Sequence, residues 1–264
     1  MPKQNNSRFN NQQHQRTNDL DNIHIVDSRF QKIIQSGHTT LLNSTLSDLN
    51  DSGNTNWLMP DTATTLSVVS TSAEDGVAGD GIITLLLQGL DQNFNEITDL
   101  ITMNGVGAVT SVNSYRALNL AVGLSCGTPG SGAVGTITIS ATTGGQVFGK
   151  FLVDDTTCEV GRYTVPAGKK FLGYSLLING GKGSDVTLEL EVTIPGRMPI
   201  SLGETYPSAG IYNFTNMAQI FINEGETIKV RAFYNSGGSG VRYCTGTMNG
   251  QIASTQAWNS LKIN

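Results

Sequence analysis

From Thr62 onward the apolar residues recur at every second position or in short runs, and each run stops at a cluster of Gly, Asn, Asp, Ser or Pro. In DVTLELEVTIP, Val186, Leu188, Leu190 and Val192 fall on one face and Thr187, Glu189, Glu191 and Thr193 on the other. That alternation predicts a strand with one wet face. Further strands are expected over residues 64–71, 82–89, 95–103, 107–112, 115–123 and 133–141, enough for one small sandwich. Thr142 to Gln146, TTGGQ, reads as a boundary. After it come eight more short strands, separated by PAGK, NGGKGSD, NEGE and NSGGSG, which fit a second sandwich of jelly-roll type.

Composition agrees: only 14% of the residues are charged, while 31 are glycine. Long helices rich in Glu, Lys and Leu are not expected from such a chain. With 264 residues and 38% hydrophobic content it can build cores without disulfides. Cys126, Cys158 and Cys244 are odd in number and lack CxxC spacing, so they read as reduced, buried small hydrophobes.

The first residues differ. Nine of the first twenty are Asn or Gln, and such a segment cannot bury enough surface to fold alone. In DSRFQKIIQSG, Asp27 or Ser28 can cap, Phe30, Ile33 and Ile34 share a helical face, and Gly37 suits a stop. This predicts a two-turn helix, with a second weak turn around Leu42, Leu46 and Leu49. Residues 1–55 are therefore expected to form an attachment arm with a short helix, followed by a first β-sandwich over 56–143 and a second, jelly-roll-like one over 144–264. The candidate assembly anchors are Phe9, Phe30, Ile33, Ile34, Leu42 and Trp57.

Several kinds of chemistry find no support in the sequence. His14, His24 and His38 all lie before the β regions, which leaves those regions no imidazole for a general base or metal ligand. Glu189 with Glu191, or Asp154 with Asp155, are the acid pairs available for glycoside hydrolysis, and no aromatic sugar platform stands beside them in sequence. GLDQNFNEITDLITMNG gathers Asp91, Asn93, Asn95 and Glu96, yet an EF-hand counted from Asp91 would need Gly and Glu where Glu96 and Thr102 stand. Neither a metal nor a cofactor is expected. The net charge of −5 gives no footprint for nucleic acid. No run of about 18 apolar residues exists to span a bilayer, and the N-terminus lacks the apolar core of a secretory signal.

The order of loose motifs adds to this reading. VVSTSAEDGVAGDGIITLLLQGLDQNFNEITDLITMNGVGAVTSVNSYRALNLA, then GTITIS, YTVPAGKKFLGYSLLI, SDVTLELEV and INEGETIKVRA, resembles virion structural proteins of tailed bacteriophages, especially marine ones, over about residues 65–253. The resemblance implies a non-enzymatic particle component, assembled in the host cytoplasm and contacting copies of itself and other virion proteins. The first expectation is a capsid decoration or cement protein, a homotrimer pinned to the major capsid protein by its arm. The second is a tail fibre, knob or receptor-binding protein whose C-terminal sandwich meets a host glycan, with Tyr206, Tyr212, Tyr234 and Tyr243 available for stacking.

Overall fold

A computed structural model describes residues 30–39, 47–50, 57–180, 186–205, 210–214, 220–234 and 244–260. Along the chain the strands are β1 (Gln31–Thr39), β2 (Ser47–Asp48), β3 (Thr64–Ser70), β4 (Ile82–Leu90), β5 (Glu96–Thr102) and β6 (Val109–Tyr115). They continue as β7 (Ala117–Cys126), β8 (Ile137–Ala141), β9 (Val147–Phe151), β10 (Thr157–Cys158), β11 (Arg162–Thr164) and β12 (Lys169–Gly180). The last are β13 (Val186–Thr193), β14 (Ile200–Thr205), β15 (Gly210–Phe214), β16 (Ile220–Ile222), β17 (Thr227–Tyr234) and β18 (Cys244–Ser254), before a short helix α1 (Thr255–Ser260).

The strands form four antiparallel sheets that make two sandwiches, so the chain is all-β as its period-two pattern requires. The first sandwich packs β10-β7-β4-β5 on β6-β3-β8-β9. Its core holds Leu66, Leu85, Leu87, Tyr115, Ile137, Phe148 and Phe151. The second packs β1-β18-β12-β15 on β11-β17-β13-β14, with β16 beside β12 and β2 beside β17. Phe171, Leu190, Val192, Ile228, Val230, Cys244 and Ile252 fill it.

The expected N-terminal helix is a strand. Gln31 to Thr39 pair residue by residue with Ile252 to Cys244 of β18. A two-turn helix is marginal in water, whereas this edge position gives nine residues ladder bonds and sends Ile33 toward the second core. The weak turn expected nearby resolves in the same way, with Ser47–Asp48 on β17 and Leu49 fully buried. Leu42 and Leu46 lie outside the described residues.

The domain boundaries shift accordingly. TTGGQ is not a linker but the hairpin joining β8 to β9, with Gly144 and Gly145 at positive φ. A Gly-rich tight turn and a Gly-rich linker look alike in sequence. β9 and β10 complete the first sandwich, which runs from Trp57 to Val160. The second sandwich is discontinuous: residues 30–39 and 47–50 belong to it, together with the described strands from Arg162 onward. The first sandwich is thus an insertion within the second.

Candidate assembly site

The insertion interrupts a single strand position. β2 and β11 lie end to end against the same edge of β17, with Asp48 opposite Arg231 and Arg162 opposite Lys229. Val230, between them, ties the two halves: its carbonyl accepts from Leu49 N–H at 2.9 Å and its N–H donates to Gly161 O at 3.3 Å. Gly161 sits at φ +62, and a Cβ there would lie 1.7 Å from the Leu49 carbonyl oxygen. Only glycine satisfies both constraints.

Charge gathers at the cut. The β13–β17 register sets Glu191 opposite Lys229 and Glu189 opposite Arg231. Lys229 is 1% exposed; its Nζ lies 3.0 Å from Glu191 Oε1 and 3.3 Å from Asp48 Oδ1, and donates to the Trp57 carbonyl at 3.1 Å. Arg231 reaches Glu191 Oε2 at 2.6 Å and Asp48 Oδ1 at 3.2 Å. Asp48 in turn accepts the Trp57 N–H. The first residue of the insertion is therefore held through both its backbone groups by the sheet it leaves.

On the far side of Trp57, the Arg162 guanidinium stacks 4.1 Å from the indole ring and donates to the carbonyls of Val160 and Phe148. Arg162 and Lys229 are like charges directly opposite on neighbouring strands, an arrangement that costs stability. The aromatic face and the carbonyl oxygens offset it. Burial, partly opposed by Asp48, pushes Arg162 down to about 10. Burial likewise raises the Asp48 carboxyl despite Lys229 and Arg231 nearby. For Glu191, burial acts in the same upward sense, but hydrogen bonds and charge from Lys229 and Arg231 outweigh it and hold the carboxyl low.

The expected wet face of β13 is thus buried: Thr187, Glu189, Glu191 and Thr193 all lose solvent. Alternation fixes which residues share a face but not whether a second body covers that face. Glu189 and Glu191, read as candidate acids, are partners in an ion network instead.

A second seam joins the sandwiches lower down. Asn119 Nδ2 donates to the Thr164 carbonyl at 2.8 Å, and the Thr164 N–H donates to Asn119 Oδ1 at 2.9 Å. Gln35 Nε2 donates to the Asn119 carbonyl at 2.7 Å, and Lys169 pairs with Glu96 at 2.6 Å. The Asp91 loop contributes as a turn. Asp91 Oδ1 accepts from the N–H groups of Asn93 and Asn95, and Oδ2 from the Asn95 amide. Slight burial works against ionisation, but these donors prevail and lower the carboxyl. The turn presents Phe94, at φ +63, whose carbonyl accepts the Ala167 N–H at 2.8 Å. Between the seams β1 and the β4–β5 hairpin enclose a cleft of about 450 Å³.

Asp75 belongs to another knot, at the far tip of the first sandwich. Its carboxylate accepts from Ser70 Oγ and from the N–H groups of Ile82, Val134 and Gly135. Asp80 accepts from Thr128. Among the described residues no group of three His, Cys, Asp or Glu is placed to share a metal ion. Cys158 and Cys244 are buried and joined in no disulfide, and burial pushes the Cys244 thiol up to about 12.

The proposed anchors separate into two kinds. Phe30, 2% exposed, meets Trp258 edge-on at 4.7 Å, and Trp57, 1% exposed, packs on Phe148 in the first core. Both are consumed within the chain. Ile33 is half-buried against the second core, while Ile34 is 56% exposed on the wall of the cleft. Phe9 and Leu42 lie outside the described residues. Lys229, Arg231, Asp48 and Arg162 were not singled out by sequence reasoning. The available signal was the opposite charge carried at two-residue spacing by LELEV and IKVRA.

This strand order defines a jelly-roll sandwich carrying a second sandwich inside one of its strands. No family model matches the chain, and no curated protein matches it. Among solved structures it is similar to that of the infectious bursal disease virus Gx strain, with 10% identity and a TM-score of 0.28 over 85% of this chain and 72% of that one. The crystal structure of the VP2 subviral particle of the same virus gives 9% identity and a TM-score of 0.22 over 87% and 73%.

Proposed function

We propose that this chain is a non-enzymatic structural protein of a virion, carried on the capsid as a decoration or cement subunit. The observation that supports this best is the insertion itself. A jelly roll, an architecture that recurs in viral capsid domains, forms a base, and a complete second sandwich stands on it through two crossings closed by a buried ion network. Such a joint holds two bodies in one orientation and leaves their outer faces for neighbours. The phage resemblance of residues 65–253 points the same way. In this reading, copies of the chain, as a trimer, contact each other and the major capsid protein, and residues 1–29 are the part of the expected arm left to reach across.

The test is the copy number per particle, from quantitative mass analysis of purified virions. Hundreds of copies support a capsid subunit; a handful of copies would sink that placement and favour the tail. A deletion of residues 1–29 is expected to leave both sandwiches folded and to lower incorporation. Full occupancy by the truncated chain would refute the attachment role.

A further inference from the structure

The two outer faces of the first sandwich differ in chemistry. On β6-β3-β8-β9 the outward cross-strand pairs Ser67 with Ser140, Ser67 with Thr110 and Thr65 with Ser114 are hydroxyls suited to water, and the aliphatics beside them are Val69, which stands opposite Thr138, and Val112. On β10-β7-β4-β5, Leu86 stands opposite both Leu100 and Val122, with Leu120 and Leu124 further along β7. Leu100 is 64% and Leu124 55% exposed. Their neighbours Thr84, Gln88, Thr98 and Thr102 are neutral, and the sole charge on the outward positions of β4, β5 and β7 is Glu96, already paired with Lys169. Contiguous exposed aliphatic surface of this kind marks an interaction site.

Charge is distributed unevenly along that face. At the tip, the loops of residues 71–81, 103–108, 127–136 and 152–156 contain no Lys or Arg, and Glu74, Asp80 and Asp154 are exposed there. At the opposite end Lys32 is exposed on the cleft wall beside Gln88 and Thr98. From Asp80 to Gln88 along β4 is about 27 Å at the usual strand rise. A second copy turned by a two-fold axis near Thr84 and Leu86 would lay aliphatic on aliphatic and bring Lys32 of each copy to Asp80 of the other. An isologous contact needs this kind of self-complementarity.

We propose that the Leu86–Leu100–Val122 face docks a second copy of this chain, antiparallel about a two-fold axis. The contact uses the inserted sandwich, so it leaves the jelly roll free for other neighbours, and it is read in solution, separately from the copy number in particles.

Sedimentation velocity of the full chain over a concentration series tests it. The wild type should self-associate through this face, as a dimer or, where the jelly rolls trimerise, as paired trimers, and Leu100→Asp, at an exposed position, should weaken the two-fold contact at least about tenfold with the melting temperature unchanged. Leu124→Gln provides a second, milder variant should the first fold poorly. Lys32→Glu and Asp80→Lys should each weaken the dimer, and the double reversal should restore it. A wild type that stays monomeric, or an oligomer indifferent to Leu100→Asp and Leu124→Gln, overturns the proposal. Failure of the double reversal to rescue overturns the antiparallel geometry. A monomer in which hydrogen exchange shows Thr98 to Thr102 protected would assign the face to the chain's own N-terminal residues instead.

Discussion

Replacing Lys229 by Met tests whether the joint depends on its buried charges. The substitution keeps an unbranched side chain of similar length in the same space, so the joint between the sandwiches stays filled, but Asp48 and Glu191 lose the ammonium 3.3 and 3.0 Å away. Removing one partner of a buried pair costs about 3–5 kcal/mol, because the remaining charge has left water without compensation. Arg231 still reaches both carboxylates, which places the expected loss near the lower end, about 3 kcal/mol. At roughly 2–4 °C per kcal/mol for a chain of this size, the melting temperature should fall by about 6–12 °C. Calorimetry gives the total. Trp57 fluorescence gives the location, since Lys229 holds the Trp57 carbonyl and the only other tryptophan, Trp258, packs in a separate cluster. Adding Glu191→Gln to Lys229→Met should recover part of the loss, because the orphaned carboxylate is then gone. A fall of less than about 2 °C for the single variant, or a double variant no better than the sum of the two single changes, would refute the account of the joint as a charge network.

The network also sets the acid behaviour. Glu191 is held below its ordinary value of 4.5, so the unfolded chain takes up its proton first and the stability it contributes is lost as pH falls below about 4.5. Asp48, raised above 3.8, has the opposite sign: its folded form binds the proton more readily and stability is regained as pH falls toward 3.8. In urea melts between pH 7 and 3, Glu191→Gln should flatten the acid limb and Asp48→Asn should steepen it. Gly161→Ala should cost at least about 2 kcal/mol, since it combines a positive φ with a backbone overlap; a folded variant of unchanged melting temperature would contradict the close approach to Leu49. Asp75→Asn puts an amide donor among N–H groups that need an acceptor, and a loss of about 3 kcal/mol is expected by denaturant titration. Removing residues 1–50 instead of 1–29 should abolish folding of the jelly roll, because β1 and β2 go with them; circular dichroism decides between the two.

How much of this was legible in the sequence depends on the range of the force involved. Strand identity is local: which residues of β8 and β13 share a face follows from alternation alone, and the all-β reading with it. Pairing partners are not local. DSRFQKIIQSG satisfies the spacing of a short helix, and Ile33 and Ile34 serve a strand equally well; only β18, more than two hundred residues away in sequence, settles the competition. The boundary at TTGGQ failed for a related reason, since a hairpin turn and a linker demand the same backbone freedom of Gly144 and Gly145. The insertion was hidden because the strand it divides is represented by two fragments, Ser47–Asp48 and Arg162–Thr164, each too short to show a period. Yet its trace is present as a charge pattern. Two acids in LELEV and two bases in IKVRA, spaced alike, are unneeded on solvated strands and become necessary once the face between them is covered. Opposite charges at matched two-residue spacing on strands distant in sequence are therefore a sign that the strands are neighbours. When the same residues sit beside apolar ones this regular, they also signal that something is built on top.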